Sequence, residues 1–147
     1  MTEVTAEIDA IIARARKAQQ AYETNGNQKL FDSAAKAAAW ALMEPSRNSE
    51  LSAFAVAETG LGNVDDKITK NYRKTLGLLR DINGKTSYGM IDDDAKSGIS
   101  EFLRPKGVIA AVVPSTNPLA TPTNNVVNAL KTGNAIILAP SPKGAAP

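Results

Sequence analysis

The chain has 147 residues, 43% of them hydrophobic and 22% charged, which is enough for one domain with a real core and excludes a disordered chain or a fibre. A net charge of only +2 gives no footing for a nucleic-acid or charged-membrane partner, and no apolar run approaches the ~20 residues of a membrane span. There is no Cys and no His, so disulfides, a thiolate nucleophile, the commonest general base and the commonest metal ligands are all missing from these residues.

Met1-Thr2-Glu3-Val4 lacks the basic-then-apolar order of a secretory leader, and a cytoplasmic location is expected. Val4, Ile8, Ile11, Ile12, Ala15, Ala18 and Tyr22 recur at three- and four-residue steps, which predicts a helix with one apolar face. Thr2 or Thr5 can cap its start, and Asn25-Gly26-Asn27 stops it. A second helix runs from about Gln28 to Glu44. Its alanines around Trp40 and Leu42 allow a neighbouring helix to approach closely, and Pro45 ends it. A third runs from Ser46 or Asn48 to Glu58, closed by Gly60 as a left-handed cap.

The fourth helix has Asn63 as N-cap and Asp65 and Asp66 in its first turn, where the helix dipole favours them. Val64, Ile68, Tyr72, Leu76 and Leu79 mark its apolar face. Lys67, Lys70 and Lys74 read as a solvated face, and Asn83-Gly84 closes the element. Ser87–Ile91 and Ile99–Leu103 then read as a hairpin, with Asp92 to Gly98 as a polar loop. Three adjacent aspartates do not converge easily on one ion, so a solvated turn is expected there and no metal.

Gly107–Val113 and Ala135–Ala139 are continuous apolar runs, the pattern of strands buried on both faces. Between them Val126, Val127, Ala129 and Leu130 suggest a helix closed by Thr132-Gly133. Pro122 leaves its start uncertain by about a turn. Strand, helix, strand at this length is a parallel βαβ unit. The fold class is therefore α/β: helices and a hairpin, then a first βαβ.

The polar stretch from Pro114 to Pro122 follows the carboxyl end of the first buried strand, the edge where open α/β sheets bind ligands. Its three prolines stiffen it, and Ser115, Thr116, Asn117 and Thr121 offer polar groups. A fixed binding surface is one reading. An ordinary strand-to-helix turn with Asn117 or Thr121 as N-cap is the other.

The segment Pro105 to Pro118, and Asn128-Ala129-Leu130-Lys131-Thr132-Gly133-Asn134 running into Ala135-Ile136-Ile137, resemble the start of the cofactor domain of aldehyde dehydrogenases. Glu58-Thr59-Gly60-Leu61-Gly62-Asn63 through Asn71, with Pro114-Ser115-Thr116-Asn117-Pro118, resembles the CoA-acylating branch. Arg73 to Asp81 and Ala139 to Gly144 are most similar to its sulfoacetaldehyde-oxidising members. The resemblance covers residues 30 to 144. It implies a truncated Rossmann-like architecture without the Gly-x-Gly-x-x-Gly fingerprint. In it, residues 1–84 form a helical part of the cofactor domain, 85–104 an oligomerisation arm, and 105–147 the start of the NAD(P)-binding core.

The resemblance further implies an oxidoreductase that converts an aldehyde and CoA to acyl-CoA through a cysteine thioester. NAD or NADP is the cofactor, CoA the co-substrate, and a homo-oligomer the expected assembly. The family cysteine falls outside these residues, so this stretch by itself is expected to be inactive. Asn117 is the expected aldehyde and oxyanion amide, with Thr116 in its place if the alignment runs without a gap. The backbone of Val113, Pro114, Ser115 and Thr116 is expected on the nicotinamide side, and Ser141, Pro142 and Lys143 at the adenosine end. The alternative is a stand-alone α/β interaction module of the same ancestry without activity. Against it, two parallel apolar strands leave sheet edges and faces that need further cover.

Overall fold

A computed structural model describes residues 3–143. The helical stretch opens with α1 (Glu3–Thr24), α2 (Gln28–Met43), α3 (Pro45–Thr59) and α4 (Val64–Ile82). The hairpin strands are β1 (Gly89–Asp94) and β2 (Ile99–Leu103), and the βαβ unit is β3 (Val108–Val113), α5 (Ala120–Lys131) and β4 (Ala135–Pro140). Each predicted element is present. Thr2, one of the two candidate caps for α1, lies outside the described residues.

The caps explain the helix boundaries. Asn27 accepts a hydrogen bond from Leu30 N at 2.9 Å, so the turn that ends α1 also starts α2. Pro45 does more than end α2: it occupies the first turn of α3, where a missing N–H costs nothing. Glu44 serves both helices, with its carboxylate accepting from Ser46 N and Arg47 N at 3.1 and 2.8 Å. Gly60 closes α3 in the left-handed region at φ 65°, and Asn63 caps α4 through Asp66 N at 2.9 Å.

The small residues of α2 do what their size allows. Ala35 and Ala39 are buried against Val127 of α5, with Met43 at the same seam and Leu78, Leu79 and Ile82 of α4 packed beside it. Phe31 is fully buried, 4.9 Å from the Tyr22 ring and 5.1 Å edge-on to Tyr88. This aromatic trio joins α1, α2 and the approach to the hairpin, and such contacts add to the area they bury.

Three expectations are corrected. On α4 the face turned inward carries Lys67, Asn71 and Thr75, while Tyr72 and Leu76 are exposed. The cause is a polar seam with α3: Asn71 Nδ2 donates to Asn48 Oδ1 (3.0 Å) and Ser52 Oγ (3.2 Å), and Asn48 Nδ2 donates to Ile68 O (3.0 Å). Satisfied amide pairs of this kind select one helix face over another with greater apolar content. In the hairpin the aspartates belong to β1 and not to the loop, because a bulge near Met90 and Asp92 carries the strand on to Asp94. Asp93 accepts from Ser100 Oγ at 2.7 Å and Asp94 from Lys96 N at 2.9 Å, so both carboxylates hold the turn.

The third correction concerns β3 and β4. They pair in parallel, Val108 opposite Ala135 through Val113 opposite Pro140. Of these residues only Val113 is buried, however, and Val112 is 83% exposed. Among the described residues only α1 and α5 pack on this pair to any extent, and they leave most of its residues partly or fully exposed.

The start of this sheet is fixed by side chains. Asn134 Oδ1 accepts from Lys106 N (2.7 Å) and Gly107 N (2.9 Å), while its Nδ2 donates to Thr132 Oγ1 (2.7 Å). Gly133, at φ 73°, lies so close to the Phe31 ring that an added Cβ would sit 2.6 Å from it. The Gly-Asn pair therefore needs both residue types, one for close approach and one for register. Gln19 of α1 clamps the same place, donating to Gly133 O at 3.0 Å and accepting from Ala135 N at 2.5 Å.

Candidate functional site at the ends of the parallel strands

The register of β3 and β4 brings two of the expected site segments together. Ser141 N donates to Val113 O at 3.0 Å, so the chain leaving β4 runs beside the chain leaving β3. Pro114 O accepts from Asn117 N at 3.3 Å, which folds Pro114 to Asn117 into a turn at that edge. Ser115, Asn117 and Ser141 are half-buried, whereas Pro114, Thr116, Pro142 and Lys143 are exposed. Gly144, which contributes to the resemblance, lies outside the described residues.

The role of Asn117 as a helix cap is excluded by the geometry. Helix α5 begins at Ala120 with Leu119 at the cap position and no side-chain cap hydrogen bond. Pro122 sits in its first turn, where its missing N–H is tolerated. Neither Asn117 nor Thr121 serves as N-cap. The side chains of Ser115, Thr116 and Asn117 make no hydrogen bond to any described residue. Asparagine at a strand-to-helix turn ordinarily bonds its own backbone. Here its amide stays available at the carboxyl edge of a parallel pair.

These groups fit an extended ligand better than a phosphate held on a helix. The first turn of α5 contains a proline and so presents few N–H donors. What remains free is the turn at residues 115–117 and the exposed pair Pro142 and Lys143 just beyond Ser141, side by side at adjacent strand ends.

One residue that sequence reasoning placed in solvent belongs here. Lys67 is only 5% exposed, and it lines a cavity of about 180 Å³ together with Gly62, Asn63, Lys70 and Thr116. Burial, with a smaller contribution from the charge of Lys70, pushes its ammonium below the ordinary lysine pKa. The cavity brings the first turn of α4 against the turn after β3. The signal available in the sequence was the spacing Lys67, Asn71, Thr75, a polar face at four-residue steps.

The family model for the aldehyde dehydrogenase family matches residues 2–146. The chain is 60% identical over 137 residues to the acylating sulfoacetaldehyde dehydrogenase of Cupriavidus necator, covering 93% of this chain and 28% of that protein. Its fold superposes with a TM-score of 0.87 on an acetylating aldehyde dehydrogenase from Geobacillus thermoglucosidasius, at 33% identity, covering 95% of this chain and 30% of the other. A propionaldehyde dehydrogenase from Rhodopseudomonas palustris, solved with bound CoA and an acylated cysteine, superposes with a TM-score of 0.73 at 26% identity, covering 92% and 30%. The chain belongs to the aldehyde dehydrogenase family. It spans less than a third of the length of these acylating relatives.

Proposed function

We propose that these residues are the N-terminal segment of an NAD(P)-dependent, CoA-acylating aldehyde dehydrogenase, with sulfoacetaldehyde as the substrate of the whole protein. The 60% identity to a sulfoacetaldehyde dehydrogenase supports that choice of aldehyde. The observation that carries the site assignment is the unpartnered Asn117 amide at the carboxyl end of β3. In this reading the amide donates to the aldehyde oxygen, and Thr116 is the neighbouring alternative.

The order of events in this reading is the one that membership of the acylating branch implies. A cysteine thiolate from outside these residues adds to the carbonyl carbon, and the C=O electron pair moves to oxygen, where in this reading Asn117 Nδ2 holds the charge. NAD(P)⁺, when bound, supplies the acceptor for the hydride that leaves as the C=O bond re-forms. The main chain of residues 113–116 lines the nicotinamide side of the cofactor site, and Ser141, Pro142 and Lys143 its adenosine end. The resulting thioester is resolved by the CoA thiol, which fits the bound CoA and acylated cysteine of the Rhodopseudomonas relative. Residues 1–84 support the cofactor domain, residues 85–104 form the arm for another subunit, and the expected assembly is a homo-oligomer.

The test is kcat, cofactor Kd and melting temperature for Asn117→Ala and Thr116→Ala in the full-length polypeptide. One amide aimed at a developing oxyanion is worth a factor of about 10²–10³ in rate. Asn117→Ala is expected to lose that much in kcat while cofactor affinity and melting temperature hold. A large loss at Thr116→Ala with Asn117→Ala near wild type would move the role by one residue. A fall in melting temperature alone at both positions would leave the turn with only a structural part.

A further inference from the structure

The chain buries two lysines and treats them differently. Lys131, 5% exposed, has its Nζ against Asp32 Oδ1 at 2.5 Å and Lys85 O at 2.6 Å. That is how a buried ammonium is normally kept, because an uncompensated one is costly. Lys67 is as little exposed as a whole residue, yet its ammonium, which keeps some contact with solvent through the cavity, has no carboxylate, carbonyl or hydroxyl partner among the described residues. The nearest candidate on its own helix is Asp66, which lines the same cavity. Asp66 Oδ2 accepts from Asn63 Nδ2 at 2.7 Å and forms no ion pair with Lys67 or Lys70. Lys70 adds a second positive charge to the wall.

A partnerless cation in a cavity of about 180 Å³ is a binding site for a small anion. Thr116 also lines the cavity, and in the chain it immediately precedes Asn117, whose amide the proposed reaction places on the aldehyde oxygen. Gly62 lines the same cavity without a side chain, and its φ of 75° disfavours one.

The geometry points to Lys67 as an aldehyde-site residue whose ammonium binds an oxyanion carried by the substrate. This rests on the reading of the turn at residues 114–117 as the aldehyde turn. Two substrate oxygens have the required chemistry. One is a permanent anionic substituent such as a sulfonate. The other is the reacting carbonyl oxygen, which becomes negative when the thiolate adds. The two make different demands: a substituent is bound in the ground state, whereas the reacting oxygen is charged only on the way through.

The experiment uses the full-length enzyme with Lys67→Met, Lys67→Gln and Lys67→Arg, assayed by NAD(P)⁺ reduction at saturating CoA on sulfoacetaldehyde and on propionaldehyde. Ethanesulfonate serves as a competing anion, and melting temperatures are recorded alongside. Loss of one charge-assisted hydrogen bond is expected to cost about 10- to 100-fold. If the sulfonate is the ligand, Lys67→Met raises KM for sulfoacetaldehyde by that factor, weakens ethanesulfonate inhibition equally, and leaves propionaldehyde within about threefold. If the reacting oxygen is the ligand, kcat falls by that factor on both aldehydes and ethanesulfonate inhibition is unchanged. In either case Lys67→Arg recovers part of the loss, and Lys67→Gln gives the same answer should the methionine variant not fold.

The inference is overturned if the kinetics of the folded variants stay within about threefold of wild type on both aldehydes. It is equally overturned if only the melting temperature moves, since Lys67 would then be paired by some other part of the protein. Absence of CoA-dependent turnover by the wild-type enzyme on either aldehyde removes the proposed function itself, and this inference with it.

Discussion

Among the described glycines, Gly133 is the one position that tolerates no side chain for two separate reasons. Its backbone sits at φ 73°, and an added Cβ would meet the buried Phe31 ring at 2.6 Å and Pro105 at 2.8 Å. Neither neighbour is the free end of a flexible side chain. Gly133→Ala is expected to cost about 2–4 kcal/mol, combining overpacking with left-handed strain, read as a fall in melting temperature. Asn117→Ala, by contrast, should leave that temperature unchanged. The Asp32–Lys131 pair makes a prediction about pH. Burial alone would raise the Asp32 carboxyl, but the hydrogen bonds from Lys131 and Gln28 and the charges of Lys131 and Lys36 outweigh it and hold the group below its ordinary value of 3.8. A depressed folded-state pKa means that its stabilisation is fully present above the unfolded value and is lost as pH falls through the folded one. The stability gap between wild type and Asp32→Asn, measured as a urea midpoint, should therefore be full at pH 7 and shrink below about pH 4.

The least supported element is the hairpin. Met90, Ile91, Ile99 and Phe102 are all exposed, and each strand's extensive contacts are with the other. A two-stranded ribbon without an apolar partner is marginal in water. In the isolated 147-residue chain, amides of β1 and β2 are expected to exchange with solvent far faster than those of α2 and α5, whose seam is buried. Comparable protection in all four elements would show that the ribbon is stable unaided. In the proposed oligomer the same amides should gain protection. The helices α1 to α4 were legible as elements because their apolar periodicity, caps and stop signals agree with one another. Which face of α4 turns inward was not legible. Tyr72 and Leu76 outweigh Asn71 and Thr75 in hydrophobicity, but Asn71 has Asn48 and Ser52 waiting on α3, and pairing across helices leaves no trace in a one-dimensional pattern.

At the scale of the whole chain, the covered seams lie between α2, α4 and α5, and open apolar surface lies on β3, β4 and the hairpin as well as at Val4, Trp40 and Phe54 on the helices. Val112 at 83% exposure is the plainest case of a strand residue with nothing over it. Parallel strands are normally covered on both faces. Residues 1–147 expressed alone are expected to aggregate or to show broad unfolding and poorly dispersed amide signals. A sharp, reversible transition of a monomer would contradict this. The same chain should show no aldehyde-dependent reduction of NAD⁺ or NADP⁺ with CoA, because no thiolate is available in it. Turnover above a no-protein control would count decisively against the proposed division of labour.

The sequence by itself determined the order and type of the elements, the parallel βαβ unit, the polar turn after β3 and the family. These rest on local signals: periodicity, caps, proline and glycine positions, and contiguous motifs. Only the tertiary structure decided which of the polar residues are free to act. It released Asn117 from capping by starting α5 at Ala120, tied Asn134 and Gln19 to the sheet start, and paired Lys131 with Asp32. It also buried Lys67 without a partner beside Thr116. The physical reason is that a polar side chain's role depends on whether its hydrogen-bonding capacity is already spent, and most of the partners that spend it lie far away in sequence: Gln19 and Ala135 are 116 residues apart, and Lys131 and Asp32 are 99.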